Sequence, residues 1–500
     1  MNQAENSANP IYRSLGRTIS SLKRMFGNSA DLSIAKLNVC GIGCAVVTLE
    51  GMVSSADLSV MLFEPLMSYR RRSLSKLCTL PEDIYAFLSR QGIFSTGKTE
   101  VYTLDDISDK ICSGFAVILV DGLAKGVAIT AQAFKTSSIS EPDSEVNIKG
   151  TKEALTDSLR ISMSLIRRRI KSPLLRFELI KAGTLSDIEL AIVYIEGKTP
   201  ERLREEVKKR LKAIKLELVL TSGSIMPFVS EDNGSFFSGA STTQRPDVLA
   251  AKINEGRIAV LIDGVPYAVV FPTLFTENFQ SVDDYEEKPY FATFQRWVRY
   301  LAFFIAAFLP GVYVASATFH SEALSRQLLL SLIASEESTP LPLVTEMIMV
   351  IIMFEILREA GLRLPRAVGG AVSIVGGLVI GDAAVTSGLI SAPLLIIIGI
   401  TATSSFVVPG LNPQVTILRL LGVILGGMAG HFGIAVLIVV TLVNAGATDG
   451  FGVPYTAPLF PFTLRAMRDV ATRVGFRRMQ ERTASIEKLN GSGGENAEQP

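Results

Sequence analysis

Lysine is missing between Lys288 and Lys488, and from Phe291 to Leu464 fewer than one side chain in ten carries a charge. No water-exposed domain is so poor in charge over such a length, and mean hydropathy over the whole chain is still +0.36. Histidine is almost absent too. His320 and His431 stand far apart in sequence, which argues against a histidine-based zinc site or a catalytic triad. Neither a P-loop nor a Gly-x-Ser-x-Gly elbow occurs, so enzymatic chemistry has little to rest on and no cofactor or metal is expected. Cys40, Cys44, Cys78 and Cys112 all fall in the first half, and the first two lie in an apolar, strand-like run. Buried thiols are expected there rather than a metal or redox role. Lys plus Arg (49) nearly balances Asp plus Glu (48), so no basic footprint points to nucleic acid. The N-terminus, MNQAENSANP, has no signal-peptide pattern, and the first half is expected to stay in the cytoplasm.

What is present divides the chain in two. Residues 11–26 place Ile11, Leu15, Ile19, Leu22 and Phe26 on one helical face beside Arg13, Arg17, Lys23 and Arg24. This arm (1–30) suits either a membrane surface or packing against protein. Two segments then repeat at a constant offset, KICSGFAVILVDG (Lys110–Gly122) and KINEGRIAVLIDG (Lys252–Gly264), with six of thirteen positions identical. Each reads as a helix end stopped by glycine, an apolar strand and an Asp-Gly turn into a second strand. The turn accounts for Asp121 and Asp263 without catalysis or metal ligation. Two similar α/β subdomains follow, 31–140 and 141–290, meeting near the polar stretch at 135–145. The second is expected to contain a long basic helix over 151–172 and a charged helix over 199–214. The triplet Arg167–Arg169 on the first of these reads as a solvated face with partner carboxylates, in preference to a phosphate or lipid site.

The remainder (291–464) reads as a transmembrane bundle, followed by a basic cytoplasmic tail (465–500) with a disordered end. Apolar runs occur at Val298–Phe319, Leu341–Leu357, Ala371–Val408 and Ile417–Val443, the third broken by Gly381-Asp382 and Pro393. Arg296 and Arg299 stand at the mouth of the first run, Arg358, Arg363 and Arg366 follow the second, and Arg465, Arg468, Arg473, Arg477 and Arg478 follow the last. Positive-inside logic puts both termini in the cytoplasm, with about four net crossings and one broken or re-entrant segment. The fold class is therefore an α+β region of two similar subdomains ahead of an all-α polytopic bundle.

Three groups of residues stand out in the bundle. Glu346 lies deep among apolar neighbours and is a candidate pathway residue, since ionisable groups in membranes face protein or water. Thr401, Thr403, Ser404 and Ser405 form a polar patch that either lines the same path or bonds to backbone carbonyls. Gly422, Gly426 and Gly430 recur every four residues, a face that lets helices approach closely and is expected at a subunit contact. Glu355, with Arg358, Glu359, Arg363 and Arg366, reads as an interfacial charge cluster.

The strings LTDSLRISMSLIRRRIKSP, DIELAIVYIEG, QRPDVLAAKINEGRIAVLIDGVPYAVVFPTLF, FQSVDDYEEKPYFATFQRWVRYLAFFIAAFLPGVYVA, FEILREAGLRLPRAVGGAVSIVGGLVIGDAAV and FGVPYTAPLFPF occur in this order. They resemble the A subunits of GerA-type spore germinant receptors over about residues 145–462. That resemblance implies a spore inner-membrane protein that assembles as a ring, expected to be a pentamer. It implies a cation channel that opens on nutrient sensing. The implied partners are a B subunit similar to amino-acid transporters, a C-subunit lipoprotein and membrane lipid. The chain departs from the family's usual Gly-Pro-Arg-Glu-Gly-Phe at Gly150–Leu155, which leaves a stage V sporulation paralogue open. A secondary transporter and a non-conducting scaffold are the alternatives from other classes; the bundle shows no internal repeat of the kind transporters carry.

Overall fold

The computed structural model describes residues 9–39, 41–64, 80–91, 97–132, 149–230, 234–323, 326–337, 339–364, 381–463 and 466–479, with single positions at 142, 145, 147, 486 and 489. Cys40, Cys78, Arg366, Gly377 and Arg465 lie outside the described residues, as does most of the stretch at 135–145 and of the tail.

Two five-stranded sheets make up the α/β half. The first contains β1 (Leu32–Val39), β2 (Ile42–Leu49), β3 (Lys98–Val101), β4 (Phe115–Val120) and β5 (Gly126–Thr130), in the order β1-β2-β4-β5-β3. The second contains β6 (Leu175–Ala182), β7 (Ile188–Ile195), β8 (Ser241–Thr243), β9 (Ile258–Ile262) and β10 (Val265–Phe271), in the order β6-β7-β9-β10-β8. Every pairing is antiparallel. Equivalent strands take equivalent places, so the sequence repeat is a repeat of the fold.

Helices cover both faces, which is why FAVILV and IAVLI are continuously apolar instead of alternating. In β9, Ile258, Val260 and Ile262 pack on Leu203, Val207 and Leu211 of a helix at Glu201–Lys212. Ala259 and Leu261 face the opposite way, onto Leu159, Met163 and Ile166 and onto Leu249 and Ile253. We number the helices that matter below α1 (Leu15–Met25), α2 (Leu104–Cys112) and α3 (Leu159–Arg169). α1 buries Leu22, with Phe26 just beyond its end, against β2, β4 and α2, so the basic arm is packed on its own subdomain. α3 is shorter than the expected 151–172. Leu155 already spends its N–H on Gln244, and the helix begins where Asp263 accepts the N–H of Leu159 at 3.1 Å.

The same device opens α1: Asp121 accepts the N–H of Leu15 at 2.8 Å. The repeated aspartates therefore serve the turn, whose glycines have φ +93° (Gly122) and +78° (Gly264), and also cap a helix of their own subdomain. Arg167 corrects the solvated reading of the triplet. It is 1% exposed and pairs at 2.8 Å with buried Asp31, joining the two subdomains, and donates to the carbonyls of Ser172 and Leu175. Only Arg168 and Arg169 behave as expected, sharing Glu153.

The bundle contains α4 (Pro289–Phe319), α5 (Leu343–Arg363), α6 (Ala392–Val407) and α7 (Asn412–Ala447). α4 and α7 are long and apolar enough to cross a membrane, and α6 is a shorter apolar helix. α7 is not the single span expected over Ile417–Val443. Gly430 (φ 62°, ψ −146°) breaks it, and a Cβ on Gly426 or Gly422 would touch Ile434 (3.3 Å) or Leu437 (3.6 Å). These pairs make it an antiparallel hairpin with its tip at Gly430. Each arm is about 26 Å long at 1.5 Å per residue.

The chain leaves the bundle at the end where it entered. Asn444 accepts from the hydroxyl of Ser235 (3.1 Å) and the N–H of Phe236 (2.9 Å), and the N–H of Phe275 donates to the carbonyl of Tyr455 (2.8 Å). Phe451 stacks on Phe271 at 5.3 Å beneath the Arg210 guanidinium.

Candidate functional site

Glu346 sits in the first turn of α5 and is 0% exposed. One carboxylate oxygen accepts the N–H of Ser391 at the start of α6; the other has no protein partner among the described residues. Met347, Val350, Leu394 and Ile398 surround that region. An ionised carboxylate there has a large desolvation cost unless water or a cation reaches it.

A second polar centre lies lower in the bundle, and it explains Arg419 in the middle of an apolar run. Pro310 has no N–H, so the carbonyl of Ala306 loses its helical partner. The Nε of Arg419 donates to that carbonyl at 3.0 Å, while its Nη1 lies 3.6 Å from Glu355. Glu355 also pairs with Arg358 (2.6 Å) and accepts from Thr416 (3.2 Å). The expected charge cluster is thus divided. Glu355 and Arg358 belong to this half-buried centre, whereas Glu359 and Arg363 pair on the surface at 2.7 Å.

The polar patch of α6 does not share one face. Thr401 and Ser405 are buried, Ser404 is half-buried and Thr403 is exposed. Thr401, Thr403 and Ser405 donate to the carbonyls of Ile397, Gly399 and Ala402 at 2.6–2.7 Å. From Ser391 to Thr401 the helix rises about 15 Å, so the patch does not meet Glu346.

The glycine series packs closely within the chain. A Cβ on Gly311 of α4 would lie 2.6 Å from the carbonyl carbon and oxygen of Gly422, and one on Gly426 would lie 2.6 Å from the Gly311 oxygen. Two glycines therefore close on a third within the same chain, and Gly430 makes the turn.

Where the bundle meets the α/β half, a buried network appears that sequence reading missed. Asp284 and Arg296, both 0% exposed, pair at 2.9 Å. Arg299 joins Asp284 at 2.7 Å, and Arg296 reaches Asp469 of the C-terminal segment at 3.0 Å. Arg473 donates to the carbonyls of Tyr285 and Glu287, so this part of the tail is docked. Burial, with negative Asp469 beside it, pushes the Tyr285 phenol well above its usual range. Burial also raises the Glu277 carboxyl, but Arg257 and Lys252 outweigh it and hold it below the usual carboxylate range. Phe237, Phe275, Phe279, Tyr300, Phe303 and Tyr455 pack together above this network.

At the opposite end, His320 and His431 meet despite their separation in sequence. Their Nδ1 atoms lie 3.0 Å apart across the end of α4 and the hairpin tip.

The family model for the Bacillus/Clostridium GerA spore germination protein matches residues 20–485 of this chain. "Spore germination protein KA" of Bacillus subtilis is 35% identical over 483 residues, covering 96% of this chain and 88% of that protein. "Stage V sporulation protein AF" of the same organism is 24% identical over 454 residues, covering 89% of each. The crystal structure of the N-terminal domain of the A subunit of the Bacillus megaterium spore germinant receptor GerK3 is 23% identical, with TM-score 0.40, covering 54% of this chain and 99% of that one. The chain belongs to the GerA family of spore germination proteins.

Proposed function

We propose that this chain is the A subunit of a nutrient germinant receptor in the spore inner membrane. In this reading it forms an oligomeric, pentameric cation channel that opens when nutrient is sensed. The observation that carries it is the family match along residues 20–485, joined to a bundle that keeps a carboxylate fully buried at Glu346. Its partners are further copies of itself, a B subunit that resembles amino-acid transporters, a C-subunit lipoprotein and lipid. The apolar half spans the membrane, and the α/β half and C-terminal segment lie together on the cytoplasmic side. The return of the chain to Ser235 and Phe275 supports this arrangement, because it requires an even number of crossings. The Asp284–Arg296–Asp469 network then couples the soluble half to the foot of α4, and Glu346 lies on the ion path.

The test is deletion of the gene and complementation in the source bacterium. Loss of germination with one class of nutrient, restored by the wild-type gene, is the expected result. A sporulation or membrane-complex defect with every nutrient response intact would favour the stage V paralogue.

A further inference from the structure

The two histidines make a ligand pair with defined proton positions. The Ser316 hydroxyl donates to the Val312 carbonyl at 2.8 Å, so towards His431 Nε2, 3.2 Å away, it can only accept. His431 therefore carries its proton on Nε2, which leaves a lone pair on Nδ1. That lone pair points at His320 Nδ1, 3.0 Å away, with the rings at 79° and their centroids 4.6 Å apart. Two convergent imidazole nitrogens at this spacing are close to the roughly 3.3 Å separating two nitrogens bound to one zinc ion at about 2.0 Å each.

We propose that His320 and His431 bind one divalent cation of the zinc class (Zn²⁺, Ni²⁺ or Cu²⁺), which ties the far end of α4 to the hairpin tip. The cation takes the place of the single proton shared between the two Nδ1 atoms, and that proton passes through solvent to Nε2 of His320, so both imidazoles bind as neutral ligands. Ser316 acts from behind, fixing the His431 tautomer and ring orientation. Gly430 makes room, since a Cβ there would lie 3.3 Å from His320 Cε1 and 3.2 Å from Phe319 Cβ. Among the described residues no cluster of three or more His, Cys, Asp or Glu side chains is placed to hold a metal, and His320 is exposed, so water completes the coordination. Binding weakens on acidification, because the cation competes with protons. In the unfolded chain the two ligands are far apart along the backbone, so the chelate exists only in the folded protein and stabilises it.

The experiment uses the full chain in detergent, purified through a tag without histidine. Zinc binding and the melting midpoint are measured for wild type, His320→Gln and His431→Gln. One zinc per chain and a zinc-dependent rise in midpoint are expected for wild type. Each variant should bind zinc about tenfold or more weakly and show no rise. Zinc binding equal in all three proteins would assign the metal to the cysteines and overturn the proposal. Copper electron paramagnetic resonance supplies a second reading on wild type alone: coupling to two imidazole nitrogens is expected, and coupling to one or none refutes the site.

Discussion

Gly311, Gly422 and Gly426 look equivalent in sequence, but the structure separates them. A methyl on Gly311 would meet the backbone of Gly422 at 2.6 Å, and one on Gly426 would meet the Gly311 oxygen at the same distance. Neither obstacle is a side chain that can swing aside, so α4 and the first arm of α7 would have to move apart. Overpacking of this kind costs about 1–3 kcal/mol. A methyl on Gly422 would instead find Leu437 at 3.6 Å and the Ala307 oxygen at 3.7 Å, ordinary van der Waals distances. Gly422→Ala should therefore be neutral, or stabilising by up to about 1 kcal/mol through helix propensity. The assay is the unfolding midpoint of each full-length variant in detergent. Equal damage from all three substitutions, or a silent Gly311→Ala, would refute this packing.

Three further outcomes follow from the polar contacts. Asp121→Asn and Asp263→Asn should be nearly silent, since Asn both forms the turn and accepts the capping N–H; Asp→Ala at either position should cost about 1 kcal/mol by thermal unfolding. Asp31→Asn should cost about 3–5 kcal/mol by leaving Arg167 buried and unpaired, whereas Asp31→Leu with Arg167→Met should recover much of that loss. Arg419→Met should destabilise the bundle by leaving the Ala306 carbonyl without a donor, and Arg419→Lys should rescue it only in part, because lysine cannot hold the carbonyl and Glu355 with one fork; midpoints in detergent decide both.

The repeat was readable because Asp-Gly needs positive φ and the flanking strands are apolar on both faces, which leaves few residue choices. The second use of Asp121 and Asp263 was not readable, since the capped N–H groups lie in distant parts of the chain. Arg167 looked solvated because a charge run on a helix usually is, and nothing local to it identifies Asp31. Gly430 fits a small-residue helix face as well as it fits a turn, and its φ of 62° alone distinguishes them. Arg419 interrupts an apolar run, and nothing near it in sequence points to the Ala306 carbonyl that Pro310 leaves free for it. Glu346 was legible as a buried carboxylate from its neighbours' apolarity, but its contact with Ser391 was not.

Nutrient-triggered cation conductance tests the channel most directly, in planar bilayers holding this chain together with its B and C partners. Wild-type complexes should open on nutrient addition. Glu346→Gln should lower the cation current while leaving assembly intact, and Glu359→Gln, on the exposed face, should leave it unchanged. A complete, nutrient-binding assembly that never conducts, or one whose current is untouched by Glu346→Gln, would contradict the account.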